Sequence, residues 1–451
     1  MADLLTSVLQ TEERLAAQGV ESQERVAFFC SNSSRLLVAI LACWRRGVVV
    51  VPLSTRFQMP QIRQALEEMG CSRTILSQEY RQKVPLDDAI TLETLVSLNT
   101  TRCGDLLWDQ LALEPSQPAS LILTSGSTGR PKGVLHTFAN HYYSALGADS
   151  NIPFRRGDTW LVSLPLYHVS GLSLVTRALL HGGTLFFPAS RSMSLAQCLA
   201  AEEITHLSLV PLQLNRLLED ANACGVLPTL KAILVGGAAC PRSTIKRCAE
   251  LEIPLFLTYG SSEMASQVTT TASHAAVKNP ASSGRLLAHR ELKIADDGEI
   301  LLKGETCFQG YIHANQLERP FDREGWFASG DLGYLNPMGE LIVTGRKDTR
   351  FSSGGEEIYP EEIEREIQAI EGVERCVVVA VPSGQYGKRP VAFVTMQEGR
   401  ALERTDFRSE LLLIERYKIP DAFFPMPDDQ RGRMKVDRSA LSQRARELMK
   451  G

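Results

Sequence analysis

A chain of 451 residues with 44% hydrophobic content can bury a large core and exceeds one typical domain. Its formal net charge of −4 supplies no global basic field and argues against nucleic-acid binding. Ten cysteines fall singly, with no C-x-x-C pair, which fits a reducing cytoplasm better than a disulfide framework or a zinc site.

The N-terminus has no basic start followed by a long apolar run, so no secretory signal is expected, and residues 3–19 predict an amphipathic helix. A strand at Arg25–Cys30 and a helix at Ser34–Arg46, ended by Gly47, come next. The apolar stretch Leu36–Trp44 inside that helix is too short to span a bilayer, so no membrane insertion is expected. Strand Val48–Val51, helix 59–69 before Gly70, and strand Arg73–Leu76 continue the alternation. Such alternation predicts a layered α/β fold with largely parallel sheets. Residues 80–118 read as a connection ending in Glu114-Pro-Ser-Gln-Pro118. More α/β units are expected to about residue 260, then shorter turn-linked strands at Glu291–Ile294, Gly298–Leu302 and Gly339–Val343. A break at Gly345-Arg-Lys-Asp348 precedes a charged helix at Pro360–Ile370, a strand at Val377–Val381 and a helix at Asp406–Arg416. The division expected is a large domain at 1–347 and a small one at 348–451, with a ligand cleft between them.

Several stretches carry chemistry. The apolar run Ser120–Thr124 leads into Thr124-Ser-Gly-Ser-Thr-Gly-Arg-Pro-Lys-Gly133. Its glycines let backbone N–H groups approach a polyanion, although by composition alone such a run is more often a plain linker. It is not a Walker loop, since Pro131 stands five after Gly126. Tyr259-Gly-Ser-Ser-Glu263 follows an apolar strand and offers a flat ring beside a carboxylate of the kind Mg²⁺ uses; a strand–turn with a solvated glutamate is the alternative. In Trp326-Phe-Ala-Ser-Gly-Asp331-Leu-Gly333, Asp331 could accept two ribose hydroxyls or simply form a turn. Arg177 lies among Leu172, Leu174, Val175, Ala178, Leu179 and Leu180. A guanidinium buried there demands a partner, commonly a carboxylate, unless it snorkels or closes an internal salt bridge.

Taken together, these motifs resemble the acyl-adenylate-forming superfamily of acyl-CoA ligases, luciferases and peptide-synthetase adenylation domains. The resemblance covers essentially residues 25–445, with the motifs in the family's order. It implies an adenylate-forming enzyme fold, with a large layered α/β N-terminal domain and a small mobile α+β C-terminal domain. The cofactors implied are ATP, Mg²⁺ and coenzyme A. Thr124, Ser125, Gly126, Ser127, Thr128, Gly129 and Lys132 would hold phosphates. Gly236, Gly237 and Ala238 would flank adenine, with Tyr259 on its face and Gly260 and Ser262 beside it. Glu263 would hold Mg²⁺, with Thr128 as a second contact. Asp331 would bind ribose with Arg346 adding charge, and Asp348 would be the hinge. Gly354 and Gly355 would border the pantetheine arm. Lys435 would bridge acyl and α-phosphate oxygens, and His168 would border the acyl carboxylate. Catalytic roles thus fall on Lys435, His168 and Arg346. Two departures are noted: Arg433-Met434 replaces the family's small residue and glycine before the lysine, and family members usually open with an additional strand region.

Leu164-Pro-Leu-Tyr-His168-Val-Ser170-Gly, an arginine one short helix later and Ser208-Leu-Val-Pro-Leu-Gln213-Leu-Asn-Arg216 narrow the resemblance. They are similar to the CoA ligases whose acid is 2-succinylbenzoate, on the route to menaquinone. One carboxylate of that substrate must reach phosphorus, and the other needs a cation. Arg177 is the candidate, assisted by Ser170, which could also cap the helix that begins there. Alternatives are a ligase for another aryl or small carboxylic acid, an enzyme loading a free carrier protein, and a nucleotide-binding regulator without turnover. A homodimer is compatible with the reading, but no motif demonstrates one.

Overall fold

The computed structural model describes residues 4–86, 88–125, 131–190, 193–273, 275–397, 399–402, 405–411, 414–431 and 436–449. Through the first part of the chain the elements fall where periodicity places them. The helix Leu4–Ala17 is followed by strand Arg25–Phe29, helix Ser34–Arg45, strand Val49–Pro52, helix Met59–Met69 and strand Arg73–Leu76. Gly70 closes its helix at φ 60°, a conformation that costs glycine nothing and a side chain something.

Among the described residues two eight-stranded sheets dominate. In the first, Pro118–Ser125, Val49–Pro52, Arg25–Phe29, Arg73–Leu76 and Ile90–Thr91 run parallel. Pro131–Thr137 then returns antiparallel to Pro118–Ser125, and Gly310–His313 and Gln316–Glu318 extend that edge. In the second, Leu255–Ser261, Ala232–Val235, His206–Leu209, Thr159–Leu161 and Thr184–Phe186 are parallel. Ser266–Thr270 and Arg285–Leu286 flank one side antiparallel, and Arg102–Cys103 the other. The largely parallel sheets expected are therefore parallel only at their centres. Pro131–Thr137 and Ser266–Thr270 follow their predecessors too closely for a crossover helix, and short connections force an antiparallel return. Nor is 80–118 a plain connection: Ile90–Thr91 closes one sheet and Arg102–Cys103 the other.

Between the sheets lies a helix buried on every side, Ser34–Arg45, in which Leu36 through Trp44 are all inaccessible. It packs with Phe28 and Val50 of the first sheet and Trp160 and Leu185 of the second in one continuous core. Each such large apolar side chain contributes about 1.5–3 kcal/mol relative to exposure. Trp44 remains satisfied in that setting because its indole N–H donates to the Ala119 carbonyl at 3.0 Å.

A four-stranded antiparallel sheet follows, in the order Glu291–Ile294, Glu299–Lys303, Phe327–Leu335 and Leu341–Arg346. Beyond it come the hairpin Phe351–Ser353 with Glu356–Ile358, helix Pro360–Gln368, a sheet of Val373–Ser383, Gly387–Met396 and Phe423–Pro425, and helix Arg438–Leu448. Alternation along Val373–Ser383 sends Val378 to one core with Ile363 and Ile367, and Val377 and Val379 to another with Leu441. The long helix expected over Asp406–Arg416 is a correction. Its α-helical part is Phe407–Glu410, capped by Asp406, with Leu411 leaving helical geometry and a 3-10 turn at Arg416–Lys418. Phe407 stacks on Phe423 at 4.5 Å and Leu411 is buried in the same core, so tertiary packing overrides the local period. No helix among the described residues is long and apolar enough to cross a membrane.

Several histidines are buried as neutral groups. Burial pushes His136 down to about 4 and His141 well below the ordinary range. His206 is likewise pushed down to about 4, chiefly by burial, against the opposing pull of Asp158. Between an unfolded value near 6.5 and these folded values the unfolded chain binds more protons, so stability is full above that window and falls as pH drops through it. The urea midpoint is expected to be lower at pH 5 than at pH 7, by roughly 1 kcal/mol of stability per pH unit for each such group. A flat profile over that window would show that these rings titrate within the fold.

Candidate active site

The strand Leu255–Ser261 carries Tyr259, and the return strand Ser266–Thr270 crosses it with a register shift between Tyr259 and Gly260. A Cβ on Gly260 would stand 2.2 Å from the Ser266 carbonyl oxygen, so this crossing admits only glycine. The parallel neighbour Ala232–Val235 ends in Gly236, where a Cβ would meet Thr258 Cγ2 at 2.7 Å, and Gly237 turns at φ 80°. The turn that opens at Gly236 thus leaves its strand beside Thr258, the residue before Tyr259.

Tyr259 donates its hydroxyl to Asp331 Oδ2 at 2.7 Å. On the other carboxylate oxygen, Arg346 Nη1 donates to Asp331 Oδ1 at 2.9 Å, while its Nε donates to Asp348 Oδ1 at 3.0 Å. Asp331 lies within the strand Phe327–Leu335, not in a turn, and pairs with Arg346 across the ladder. Burial raises its carboxyl above the ordinary value, while the Arg346 charge opposes the shift. Burial, joined by the adjacent Asp331 charge, pushes the Tyr259 hydroxyl well up. Tyr259, Asp331, Arg346 and Asp348 thus form one hydrogen-bonded chain.

Glu263 sits in the 3-10 turn Ser262–Met264. Tyr311 donates its hydroxyl to Glu263 Oε1 at 2.8 Å, and the Phe308 N–H donates to the Glu263 carbonyl at 2.8 Å. Lys132 places its ammonium 5.0 Å over the Tyr311 ring and 3.6 Å from Glu318. Among the described residues no three His, Cys, Asp or Glu could cage a metal. One carboxylate with an oxygen already bonded suits a hard cation held mainly by phosphate and water oxygens, so the residues present fit Mg²⁺. Thr124 and Ser125 end the strand Pro118–Ser125, and Thr124 Oγ1 donates to the Lys132 carbonyl at 3.4 Å. Gly126, Ser127, Thr128, Gly129 and Lys435 lie outside the described residues. Gly354 and Gly355 form the tip of the hairpin Phe351–Ser353/Glu356–Ile358, at φ 62° and 94°.

His168 is the residue at which helix Val169–His181 begins, and its ring makes no capping bond. Ser170, expected as the cap, is a correction: it is one residue inside the helix, its carbonyl accepting from Ser173 Oγ, so its hydroxyl is not the group ending the backbone ladder. Burial, with a smaller contribution from Arg56, lowers the His168 ring below its ordinary value and keeps it neutral at pH 7.

Arg177 is 5% exposed. Its guanidinium lies 5.2 Å over the Trp160 ring and donates from Nη2 to Gln267 Oε1, on the strand that pairs with Gly260. Nη1 has no hydrogen-bond partner among the described residues. The carboxylate partner expected of a buried arginine is thus replaced by a neutral amide and an aromatic face. Burial lowers Arg177 to about 10, so it stays charged at neutral pH. Trp160 is fixed by its N–H donating to Ser208 Oγ at 3.1 Å, which ties Ser208 to the indole that faces Arg177. Arg290 lies close by, its Nε donating to the Gln267 carbonyl at 2.7 Å.

Tyr311, Gln267, Trp160 and Ser208 escaped the motif reading as site residues. For Ser208 the signal is its place in Ser208-Leu-Val-Pro-Leu-Gln213, one of the stretches that carry the resemblance. The others meet the site only through strand pairing.

A model of AMP-binding enzymes matches residues 2–312. The chain is 33% identical over 425 residues to the 2-succinylbenzoate–CoA ligase of Listeria monocytogenes serotype 4b, covering 93% of this chain and 88% of that one. It is 31% identical to the 2-succinylbenzoate–CoA ligase of Bacillus subtilis, covering 94% and 88%. Among solved structures, o-succinylbenzoate coenzyme A synthetase (MenE) from Bacillus subtilis in complex with ATP and magnesium ion superposes with a TM-score of 0.82 at 31% identity, covering 97% and 93%. The same enzyme with the acyl-adenylate intermediate OSB-AMP gives 0.81 at 29% identity, covering 97% and 92%.

Replacing Gly260 by alanine is expected to destabilise the fold by about 1–3 kcal/mol, because the backbone oxygen it would meet cannot move aside without opening the hairpin. Urea denaturation measures this, and a change below about 0.5 kcal/mol would mean that the crossing relaxes freely.

Proposed function

This chain belongs to the AMP-binding enzyme family, and we propose that it ligates 2-succinylbenzoate to coenzyme A through an acyl-adenylate, releasing AMP and pyrophosphate, as a step toward menaquinone. The observation that carries the substrate is Arg177. A buried guanidinium that has, among the described residues, no carboxylate partner and one nitrogen unpartnered is a site prepared for an anion arriving with the ligand. A monocarboxylic acid would use its one charge at phosphorus and leave that cation unanswered. An aromatic dicarboxylic acid can satisfy both, and the Trp160 face beneath Arg177 suits an apolar pocket.

The reaction needs two steps. A substrate carboxylate oxygen attacks the α-phosphorus of ATP, and the bond to pyrophosphate breaks. The thiol of coenzyme A then attacks the acyl carbon, and the bond to AMP breaks. Both steps bring anionic groups together, so fixed donors and cations lower the barrier, and positioning removes entropic cost. We assign Thr124, Ser125, Gly126, Ser127, Thr128, Gly129 and Lys132 to the phosphates, and Gly236, Gly237, Ala238, Tyr259, Gly260 and Ser262 to the adenine region. Asp331 is assigned to ribose, with Arg346 holding it and adding charge. Glu263, with Thr128, would hold Mg²⁺, whose contribution is to neutralise phosphate charge. His168 stays neutral beside the reacting carboxylate and so does not compete for it as a counter-ion. Lys435 would bridge the acyl and α-phosphate oxygens.

We place the domain division at 347/348, with Asp348 as hinge: rotation there would exchange Lys435 for the Gly354–Gly355 hairpin beside coenzyme A. In this reading each site is complete within one chain, and a homodimer would leave it so. A cytoplasmic location is in keeping with ten free cysteines, most of them buried.

Arg177→Ala is expected to lower kcat/KM for 2-succinylbenzoate by the ~2–5 kcal/mol typical of an unanswered buried charge, roughly 30-fold or more, with the KM for ATP little changed. Acid-dependent ATP–pyrophosphate exchange reads both quantities, and Arg177→Lys should recover part of the loss. Equal loss for ATP and the acid would assign Arg177 to folding. Undiminished turnover of 2-succinylbenzoate would discard the substrate assignment.

A further inference from the structure

His136 and His141 are fully buried histidines that none of the roles above uses. Their rings lie 4.9 Å apart and both face Ser120. His136 Nε2 is 2.7 Å from the Ser262 carbonyl oxygen, immediately before Glu263. A carbonyl only accepts, so Nε2 carries the proton. Nδ1 of the neutral ring is then an acceptor and takes the Ser120 hydroxyl at 3.4 Å. The Ser120 oxygen in turn accepts from His141 Nε2 at 2.8 Å. His141 Nδ1 has no partner among the described residues, but in this arrangement it is only a lone pair. The opposite direction would bury an unpaired N–H, which costs more.

This relay connects two elements far apart in sequence. His136 stands on Pro131–Thr137, the strand that leaves the glycine-rich loop, directly opposite Ser120 in the ladder. The same strand pairs with Gly310–His313, which carries Tyr311 to Glu263 Oε1. The Ser262–Met264 turn is therefore held at the Ser262 carbonyl by His136, at the Glu263 carbonyl by Phe308 and at the carboxylate by Tyr311.

We infer that His136, oriented by Ser120 and His141, is a positioning residue: its Nε2–H fixes the Ser262–Glu263 peptide so that the Glu263 carboxylate stands ready for the metal on the nucleotide. The inference rests on the assignment of Glu263 to Mg²⁺, and the test separates the two. Outer partners of metal ligands typically contribute about 10–100-fold to metal affinity.

The probe is Mn²⁺, titrated into the full chain with a non-hydrolysable ATP analogue and read by loss of the free-ion EPR signal. Glu263→Gln should weaken Mn²⁺ binding by about 10-fold or more. His136→Leu, which keeps bulk and removes the donor, should weaken it by about 10-fold, while His136→Gln, whose amide N–H can reach the same carbonyl, should stay within about 3-fold of the parent. Parent-like affinity in His136→Leu alongside a weakened Glu263→Gln would overturn the inference and leave the Glu263 assignment standing. Equal weakening in His136→Leu and His136→Gln would also overturn it, because restoring an N–H donor would then restore nothing. Parent-like affinity in Glu263→Gln would overturn the metal assignment itself. If thermal melting shows that His136→Leu does not fold, Ser120→Ala replaces it. Loss of that one orienting hydrogen bond should weaken binding by about 3-fold, and no change would overturn the relay.

Discussion

A guanidinium enclosed among leucines and an indole must be answered by acceptors or remain a liability to the fold. In this protein Arg177 is answered only in part, by the Gln267 amide and the Trp160 face. Arg290, the neighbouring buried cation, bonds to the carbonyls of Gln267, Ala288 and Ser144 and brings no negative charge. Asp149, a carboxylate whose charge acts on Arg177, is already hydrogen-bonded by Arg155. Two positive charges thus meet at one residue, Gln267, Arg177 at its amide oxygen and Arg290 at its backbone carbonyl, and its strand pairs with Gly260. On the function proposed above, acyl selection and nucleotide binding would share a single antiparallel crossing.

That crossing explains why the sheets depart from a purely parallel design. A parallel strand must be approached through a long crossover, whereas Ser266–Thr270 returns at once beside Leu255–Ser261 and puts Gln267 next to Gly260. Pro131–Thr137 does the same beside Pro118–Ser125, bringing Lys132, His136 and, through Gly310–His313, Tyr311 toward Glu263. In both places the hairpin belongs to a large sheet, with further strands beyond it, which holds the residues at its end on a rigid stem.

Local sequence carried much of this. Helix Met59–Met69 with Gly70 behind it, and strands Arg73–Leu76, Ala232–Val235 and Glu291–Ile294, are visible because periodicity and punctuation agree over short windows. The motif residues Tyr259, Asp331, Arg346 and Asp348 were legible by order, and they form one bonded chain. Arg177 was legible as a misfit, a charge in an apolar helix. What supports these residues was not legible. Tyr311 and His136 reach the Glu263 turn through pairing between strands distant in sequence, and no local pattern encodes such a meeting. Ser170 was misread because a serine near a helix start resembles a cap, whereas the backbone begins the helix at His168. The tail helix over Asp406–Arg416 was overextended because Phe407 and Leu411 look helical in spacing yet are placed by packing against Phe423.

The most direct test is mass spectrometry of the products formed from ATP, Mg²⁺ and coenzyme A, with 2-succinylbenzoate, benzoate, succinate and medium-chain acids offered separately. The expected result is a thioester from 2-succinylbenzoate with stoichiometric AMP, and none from the monocarboxylic acids. Thioesters from the other acids only would contradict the place given to Arg177 while keeping the ligase chemistry. AMP without any thioester would contradict coenzyme A as the acceptor.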